Sequence, residues 1–256
     1  MKDIIVVKCG GSILGRLSET FFLNLRQLQE NYNLIVVHGG GPEIDEMLEK
    51  LAIPVEKKNG LRVTTKEVLE VVQMVLCGAV NKNLVAQFKK YGMDTIGLAG
   101  CDGMLLQAQA LEEELGFVGD VHDVNTALLQ SLLLQQFVPV ISPIGMDETF
   151  QLYNINGDTA AAAIASHLRA KHLLFVTDVP GVLHNDSLLA QADEALLFQL
   201  MEEGVITGGM IPKVKAALSS LQGCVEQVVI VDGLNGFIND QGEIIGTTVT
   251  KGVSLS

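Results

Sequence analysis

The chain has 256 residues, 48% of them hydrophobic, and 17 Lys plus Arg against 30 Asp plus Glu give it a formal net charge of −13. That length supports one large α/β domain or two lobes, with enough core to fold without disulfide staples. The negative charge opposes phosphate-backbone binding, and the cations form no basic stripe interleaved with aromatics, so nucleic acid is not an expected partner.

No uninterrupted apolar run reaches the roughly 18 residues of a bilayer span. Met1-Lys2-Asp3 leads directly into a β-branched run without the pattern of a signal peptide. A soluble, cytoplasmic protein with no membrane partner is therefore expected. Cys9, Cys77, Cys101 and Cys224 are far apart, form no CxxC pair and sit in no Cys/His cluster of zinc spacing. Ordinary reduced thiols and no structural metal are the expectation.

In chain order, residues 4–8 read as a buried strand that ends in the motif KCGGS, a lysine followed by two glycines. Residues 18–31 read as an amphipathic helix and 34–37 as a second strand, followed by HGGGPEI. Pro42 is suited to the first turn of a helix running to about residue 51. Glycines between a strand end and a helix start expose backbone N–H groups and favour an anion. Neither GxGxxG nor GxxxxGK[ST] occurs, so a nicotinamide fold and a P-loop both lose ground.

Residues 55–63 predict a hairpin carrying NGLRVT, in which Arg62 suits bidentate recognition of a carboxylate or phosphate, or a surface salt bridge. Residues 65–91 predict a helix interrupted near Gly78, and 95–99 a strand. Residues 105–124 read as peripheral β structure, 125–136 as helix, 138–141 and 151–155 as strands. The segment NINGD then places Asn154, Asn156 and Asp158 at the start of an Ala-rich helix over 157–168. Asp158 is either its N-cap or a carboxylate that holds cations.

A strand over 172–177 leads into TDVPGVL, helices follow near 192–203 and 210–221, and a strand over 227–231 closes the pattern. ITGGMIPK would deliver Lys213 from the first turn of the second of these helices. Alternating strands and helices argue for an α/β three-layer sandwich with a central, mainly parallel sheet. A division near residue 170, with two lobes sharing one sheet, follows only from the restart of the pattern.

Taken together and in order, KCGGS, VVHGGGPEI, KKNGLRVT, NINGDTAAAAIA, TDVPGVL and ITGGMIPKVKAAL resemble the amino acid kinase family. Within it they are most similar to the branch that phosphorylates the side-chain carboxylate of N-acetyl-L-glutamate in arginine biosynthesis. The resemblance implies the amino acid kinase fold, with residues 1–170 binding the acceptor and forming a dimer and residues 171–256 binding ATP. It implies Lys8 and Lys213 on the two sides of the transferring phosphoryl group, with Asp158 orienting both. Gly40, Gly41, Arg62, Asn154 and Asn156 would bind the acceptor, Arg62 clamping its α-carboxylate. Gly10, Gly11, Ser12, Thr177, Asp178, Gly181, Thr207 and Gly209 would serve ATP and its phosphates, and Mg2+ would arrive with ATP. Related sequences often carry an acid where this chain has Gly208. The lead of about three residues before the first strand, shorter than in arginine-inhibited relatives, implies a homodimer without arginine inhibition. The residues leave open another acceptor, such as N-acetyl-aminoadipate, glutamate, aspartate or carbamate, and a catalytically silent amino-acid-binding regulator.

Overall fold

The computed structural model describes residues 2–185, 187–208, 210–221 and 225–250. Cys224 lies outside the described residues, and Cys9, Cys77 and Cys101 are free thiols.

The first part of the chain forms β1 (Ile4–Cys9), α1 (Glu19–Gln29), β2 (Asn33–His38) and α2 (Gly41–Lys50). Ser18 caps α1 by accepting from the Phe21 amide at 3.1 Å, which is why the helix starts there. A short hairpin follows, β3 (Lys57–Lys58) and β4 (Leu61–Arg62). Its two central residues, Asn59 and Gly60, have φ of 51° and 82°. This is the Asn-Gly turn whose twist matches the flanking strands.

Residues 66–90 form one continuous helix: α3 (Lys66–Gln73), a π-helical stretch (Met74–Val80) and α4 (Asn81–Lys90). The expected interruption at Gly78 is thus a change of winding rather than a break. Val75, Leu76 and Val80 are buried and hold the widened turn against the fold, while Gly78 faces outward. By length and a mean hydropathy of 1.4 this helix could cross a membrane, but half of that window is buried inside the fold.

Next come β5 (Thr95–Ala99), β6 (Leu106–Ala110), β7 (Val118–Val124), α5 (Thr126–Leu134), β8 (Val138–Ser142), β9 (Ile144–Met146), β10 (Leu152–Ile155) and α6 (Gly157–His167). The remainder forms β11 (His172–Thr177), β12 (Leu183–His184), β13 (Ser187–Leu188), β14 (Gln191–Asp193), α7 (Glu194–Glu202), α8 (Met210–Leu221), β15 (Gln227–Asp232) and β16 (Thr247–Thr250).

Eight strands build the main sheet in the order β14-β16-β15-β11-β1-β2-β8-β5, while β6, β7, β9 and β10 close into a small separate barrel. All neighbours in the main sheet are parallel except β15 and β16. The chain winds outward from β1 through β2 and β8 on one side, and through β11 and β15 on the other. The β1/β11 boundary is therefore the reversal of strand order at which open α/β sheets place ligands.

Period-2 alternation divides the core in two. Val6, Ile35, Leu173 and Phe175 face α6 and α8, whereas Ile5, Val7, Val36, Leu174 and Val176 face α1 to α4. Burial of each such side chain contributes about 1.5–3 kcal/mol. The sheet's rigidity fixes which residue at each strand end reaches which helix layer.

Candidate functional site

Lys8 follows Val6 on the α6 side of β1. Its Nζ meets Asp158 Oδ1 at 2.7 Å, and the lysine side chain is only 13% exposed. Asp158 can do this because it does not cap α6. Asn156 is the cap, its Oδ1 accepting from the amides of Asp158 at 2.8 Å and Thr159 at 3.3 Å. The capping reading of Asp158 is thereby corrected, and its carboxylate is left for a cation. Between them Gly157 packs beside Lys8 and β2, where a Cβ would make ordinary contact at 3.4 Å from Lys8 Cε and 3.5 Å from the His38 carbonyl oxygen.

The two glycine loops interlock. A Cβ on Gly11 would sit 2.7 Å from the Gly41 nitrogen and 2.8 Å from the Gly40 nitrogen. A Cβ on Gly39 would sit 2.9 Å from the Gly11 nitrogen. Glycine is required here by backbone-to-backbone contact, and at Gly40, the N-cap of α2, a Cβ would sit 2.5 Å from Leu76 Cδ2. The first-turn amides of α2 have no intrahelical acceptor, so they form an anion-binding end beside Gly11.

Arg62 reaches this end from the hairpin. It is buried, its Nη2 donates to the Gly41 carbonyl at 3.3 Å and its Nη1 lies 2.5 Å from Asp45 Oδ1. The latter contact is an ion pair that fixes the guanidinium beside α2. Burial opposes ionisation of Asp45, but Arg62 and Lys57 together hold its carboxyl below the usual range. Thr64 donates to the Arg62 carbonyl at 2.9 Å and accepts from Asn154 Nδ2 at 3.1 Å, tying the arginine strand to β10.

Lys8, Gly11, Gly40, Gly41, Arg62, Asn154 and Asn156 line one cavity of about 220 Å³, with Leu76, Val118 and Pro143 as its apolar wall. Drug-sized ligands occupy roughly 300–1,000 Å³, so this volume suits a single small acceptor. Two kinds of anion recognition converge in it, a guanidinium bonded to the Gly41 carbonyl and a lysine beside the backbone amides of the glycine loops.

A second cationic cluster lies across the β1/β11 boundary. Lys213, in the first turn of α8, donates to Thr177 Oγ1 and, at 3.2 Å, to Asp178 Oδ1. Asp178 is held below the usual carboxylate range by its own backbone amide and by Lys213. Arg16 approaches the other carboxylate oxygen at 3.8 Å. The expectation that Asp158 orients both lysines is corrected in this structure: Asp158 pairs with Lys8, and Asp178 takes Lys213. The physical reason is reach, because Thr177 ends β11 and Asp178 follows it within hydrogen-bond range of Lys213, whose helix α8 packs on the neighbouring β15.

Of the other expected nucleotide residues, Gly10 lies at the end of β1, with a Cβ position 3.8 Å from Lys8 Nζ. Ser12 is exposed in the following turn, and exposed Thr207 accepts from the Met210 amide at 3.2 Å. Gly181 has φ 147°, and a Cβ there would sit 2.5 Å from Thr247 Oγ1, so packing against β16 explains this glycine. Gly209 lies outside the described residues. Gly208 has φ 53°, and open space surrounds its Cβ position. An acid there would have room but a left-handed backbone.

Cys9 is fully buried and desolvation pushes its thiol up to about 12, which makes it core rather than nucleophile. The motif reading passed over two buried polar residues behind the glycine loop, His38 and Asn81, whose Nε2 and Nδ2 lie 3.1 Å apart. A histidine ending a β-branched strand was the available signal for the first. Asn81 had none, because its placement depends on the π winding before it.

Residues 3–232 match the pattern of the amino acid kinase family. The chain is 55% identical over all 256 residues to acetylglutamate kinase of Bacillus cereus (strain ATCC 10987 / NRS 248), covering 100% of both chains. Among solved structures, a Streptococcus mutans UA159 protein superposes with a TM-score of 0.84 at 33% identity, covering 98% of this chain and 99% of that one. N-acetylglutamate synthase from Neisseria gonorrhoeae, complexed with coenzyme A and N-acetyl-glutamate, shares the fold with a TM-score of 0.81 at 21% identity. That likeness covers 97% of this chain and 59% of the synthase.

Proposed function

Because the chain belongs to the amino acid kinase family, we infer that it transfers the γ-phosphoryl group of ATP to the γ-carboxylate of N-acetyl-L-glutamate, a step of arginine biosynthesis. A γ-carboxylate oxygen attacks phosphorus, the bond from phosphorus to the β,γ-bridging oxygen breaks, and ADP leaves with that electron pair. The products are N-acetyl-L-glutamyl 5-phosphate and ADP.

The acceptor is ionised at neutral pH and needs no general base. What the protein supplies is charge and position. Lys8, held by Asp158, faces the cavity floor, and the amides of Gly11, Gly40 and Gly41 supply further donors for the oxygens that gain charge. Arg62 pairs with the α-carboxylate, and Asn154 and Asn156 bind the acetamido end. Lys213, released from Asp178, neutralises the phosphate side, with Gly10, Ser12, Thr177, Gly181 and Thr207 along the nucleotide. Asp178 is the carboxylate beside the phosphates. Residues 1–170 thus serve as the acceptor lobe and 171–256 as the nucleotide lobe, and Mg2+ enters with ATP as the MgATP substrate.

The single observation that carries this reading is the cavity in which Arg62 and Lys8 face one small volume across the Gly39–Gly41 amides. Assembly as a soluble cytoplasmic homodimer fits the 25-residue helix, whose outer face leaves Met74 exposed. Sedimentation of a monomer at all concentrations would remove the dimer. The test of activity is hydroxylamine trapping of acyl phosphate with MgATP, using N-acetyl-L-glutamate, N-acetyl-aminoadipate, glutamate and aspartate in parallel. Product from N-acetyl-L-glutamate alone is expected. Product from another acceptor, or from none, overturns the assignment.

A further inference from the structure

The HGGG loop has a polar network beneath it that the motifs did not account for. His38 ends β2 and, by alternation, points to the α4 side of the sheet. It is fully buried, and so is Asn81, the first residue of α4. His38 Nδ1 lies 2.8 Å from the Gly39 carbonyl oxygen and Nε2 lies 3.1 Å from Asn81 Nδ2.

These contacts define the imidazole tautomer. Asn81 Oδ1 accepts from Lys82 Nζ at 2.9 Å, and Asn81 Nδ2 donates to the Val140 carbonyl at 2.9 Å. The amide nitrogen therefore faces His38 as a donor, and Nε2 must be the acceptor. Nδ1 then carries the proton and donates it to the Gly39 carbonyl. Burial reinforces this neutral form by pushing the imidazole down to about 4. Lys82 Nζ is itself placed by the Gly97 carbonyl at 3.1 Å. A Cβ on Gly97 would lie 2.1 Å from Asn81 Oδ1, so the strand gives up a side chain to make room for the network.

A trans peptide is planar, with its carbonyl and N–H on opposite edges. The peptide joining Gly39 to Gly40 is trans, as are all others described. Fixing the Gly39 oxygen toward His38 turns the Gly40 N–H the other way, toward Gly11 and the acceptor cavity that Gly11 and Gly40 both line. Two glycines in succession give this peptide little intrinsic preference for one orientation. A hydrogen bond from a buried ring selects it.

We propose that His38 is a positioning residue for phosphoryl transfer: as its Nδ1–H tautomer, held by Asn81, it locks the Gly39–Gly40 peptide so that the Gly40 amide donates to the oxygen gaining charge. The proposal rests on the kinase reading above. It adds that one donor of the cradle is aimed from behind, through Lys82, Asn81, His38 and the Gly39 carbonyl.

The test compares His38→Asn with His38→Gln. Asparagine places its amide nitrogen where Nδ1 stands and keeps the donor to Gly39. Glutamine places its amide toward Asn81 and loses that donor. Removing a donor from an oxyanion cradle costs about 10²–10³ in turnover, and mis-aiming one costs less. His38→Gln is expected to lose at least about tenfold in kcat, with KM for MgATP nearly unchanged and cooperative unfolding retained. His38→Asn should stay within about threefold of the parent. Equal losses in both variants, or no loss in either, would overturn the proposal.

Long-range 1H–15N correlation on the histidine-labelled parent at pH 7 supplies an arm independent of activity and of the variants' folding. A buried imidazole with pyrrole-type Nδ1 and pyridine-type Nε2 is expected, and the opposite tautomer or an imidazolium overturns the proposal. If the parent makes no acyl phosphate, the kinase reading fails. If the parent is active and the two variants do not separate, only the positioning role fails.

Discussion

Gly11→Ala tests whether the two glycine loops work as one device. The added methyl would meet backbone nitrogens at 2.7 Å and 2.8 Å and the Pro42 ring at 3.1 Å. Ordinary contact begins at 3.4 Å, so the loops must separate by about 0.7 Å. Backbone at a strand end and a helix start cannot yield as a side-chain tip can. Overpacking of this kind costs about 1–3 kcal/mol of stability. Misplacing reacting groups by about 1 Å costs about 10²-fold in rate. A separation of this size should therefore lower kcat by about 10- to 100-fold, with a drop of a few degrees in Tm. Gly15→Ala, which meets nothing within 4 Å, is the control on the same loop. Acyl phosphate trapped with hydroxylamine gives the rates and calorimetry gives Tm. If Gly11→Ala behaves like Gly15→Ala, the interlocked-loop argument is refuted.

Lys213→Ala should lower kcat by about 10²–10³-fold with little change in KM for the acceptor, and near-parental turnover would remove Lys213 from the phosphate side. Arg62→Ala should raise KM for N-acetyl-L-glutamate by about 10- to 100-fold, the equivalent of a charged hydrogen bond, while KM for MgATP holds. A change confined to kcat would contradict the carboxylate-clamp role. Acid should destabilise the fold through His38, whose ionisation falls from the ordinary 6.5 to about 4. A histidine kept neutral by the fold contributes nothing above pH 6.5, and stability is lost as the unfolded chain takes up the proton between pH 6.5 and 4. The loss by pH 4.5 is about 2.5 kcal/mol. Burial lowers His172 as well, so urea unfolding of the parent must be set against His38→Asn at pH 7 and 4.5. Identical pH slopes would refute the linkage.

Much of the site was legible because strand ends and helix starts announce themselves locally. Ser18, Thr65 and Asn125 cap their helices from side chains visible in the sequence. The Asn59-Gly60 turn delivers Arg62, and Pro42 opens α2 beside the glycines. The motif order also brought Lys8, Gly40, Arg62 and Asn154 to one cavity: the parallel strands β1 and β2 deliver Lys8 and Gly40 to the same edge, and the β3/β4 hairpin and β10 bring Arg62 and Asn154 against it. Partner choice was less legible. Asn156 and Asp158 are equally good caps on composition, and only the direction of Lys8 in the folded sheet separates their tasks. Asp178 as the holder of Lys213 required knowing that α8, packed on β15, sets its first turn beside the end of β11. The short strands β12 and β13 pair with each other and β9 pairs with β10 and β6, and two or three residues carry no periodicity to read.

The π-helical stretch at Met74–Val80 shapes how the gene can change. A π turn carries one residue more than the α turn it replaces and absorbs it within the turn, so the helix beyond keeps its facing. Removing a codon there restores ordinary winding and leaves Asn81, Leu84 and Phe88 directed into the core. Removing one from α4 instead turns the residues beyond it by about 100° and carries Phe88 out. A deletion scan should therefore retain more folded protein across codons 74–80 than across codons 82–87.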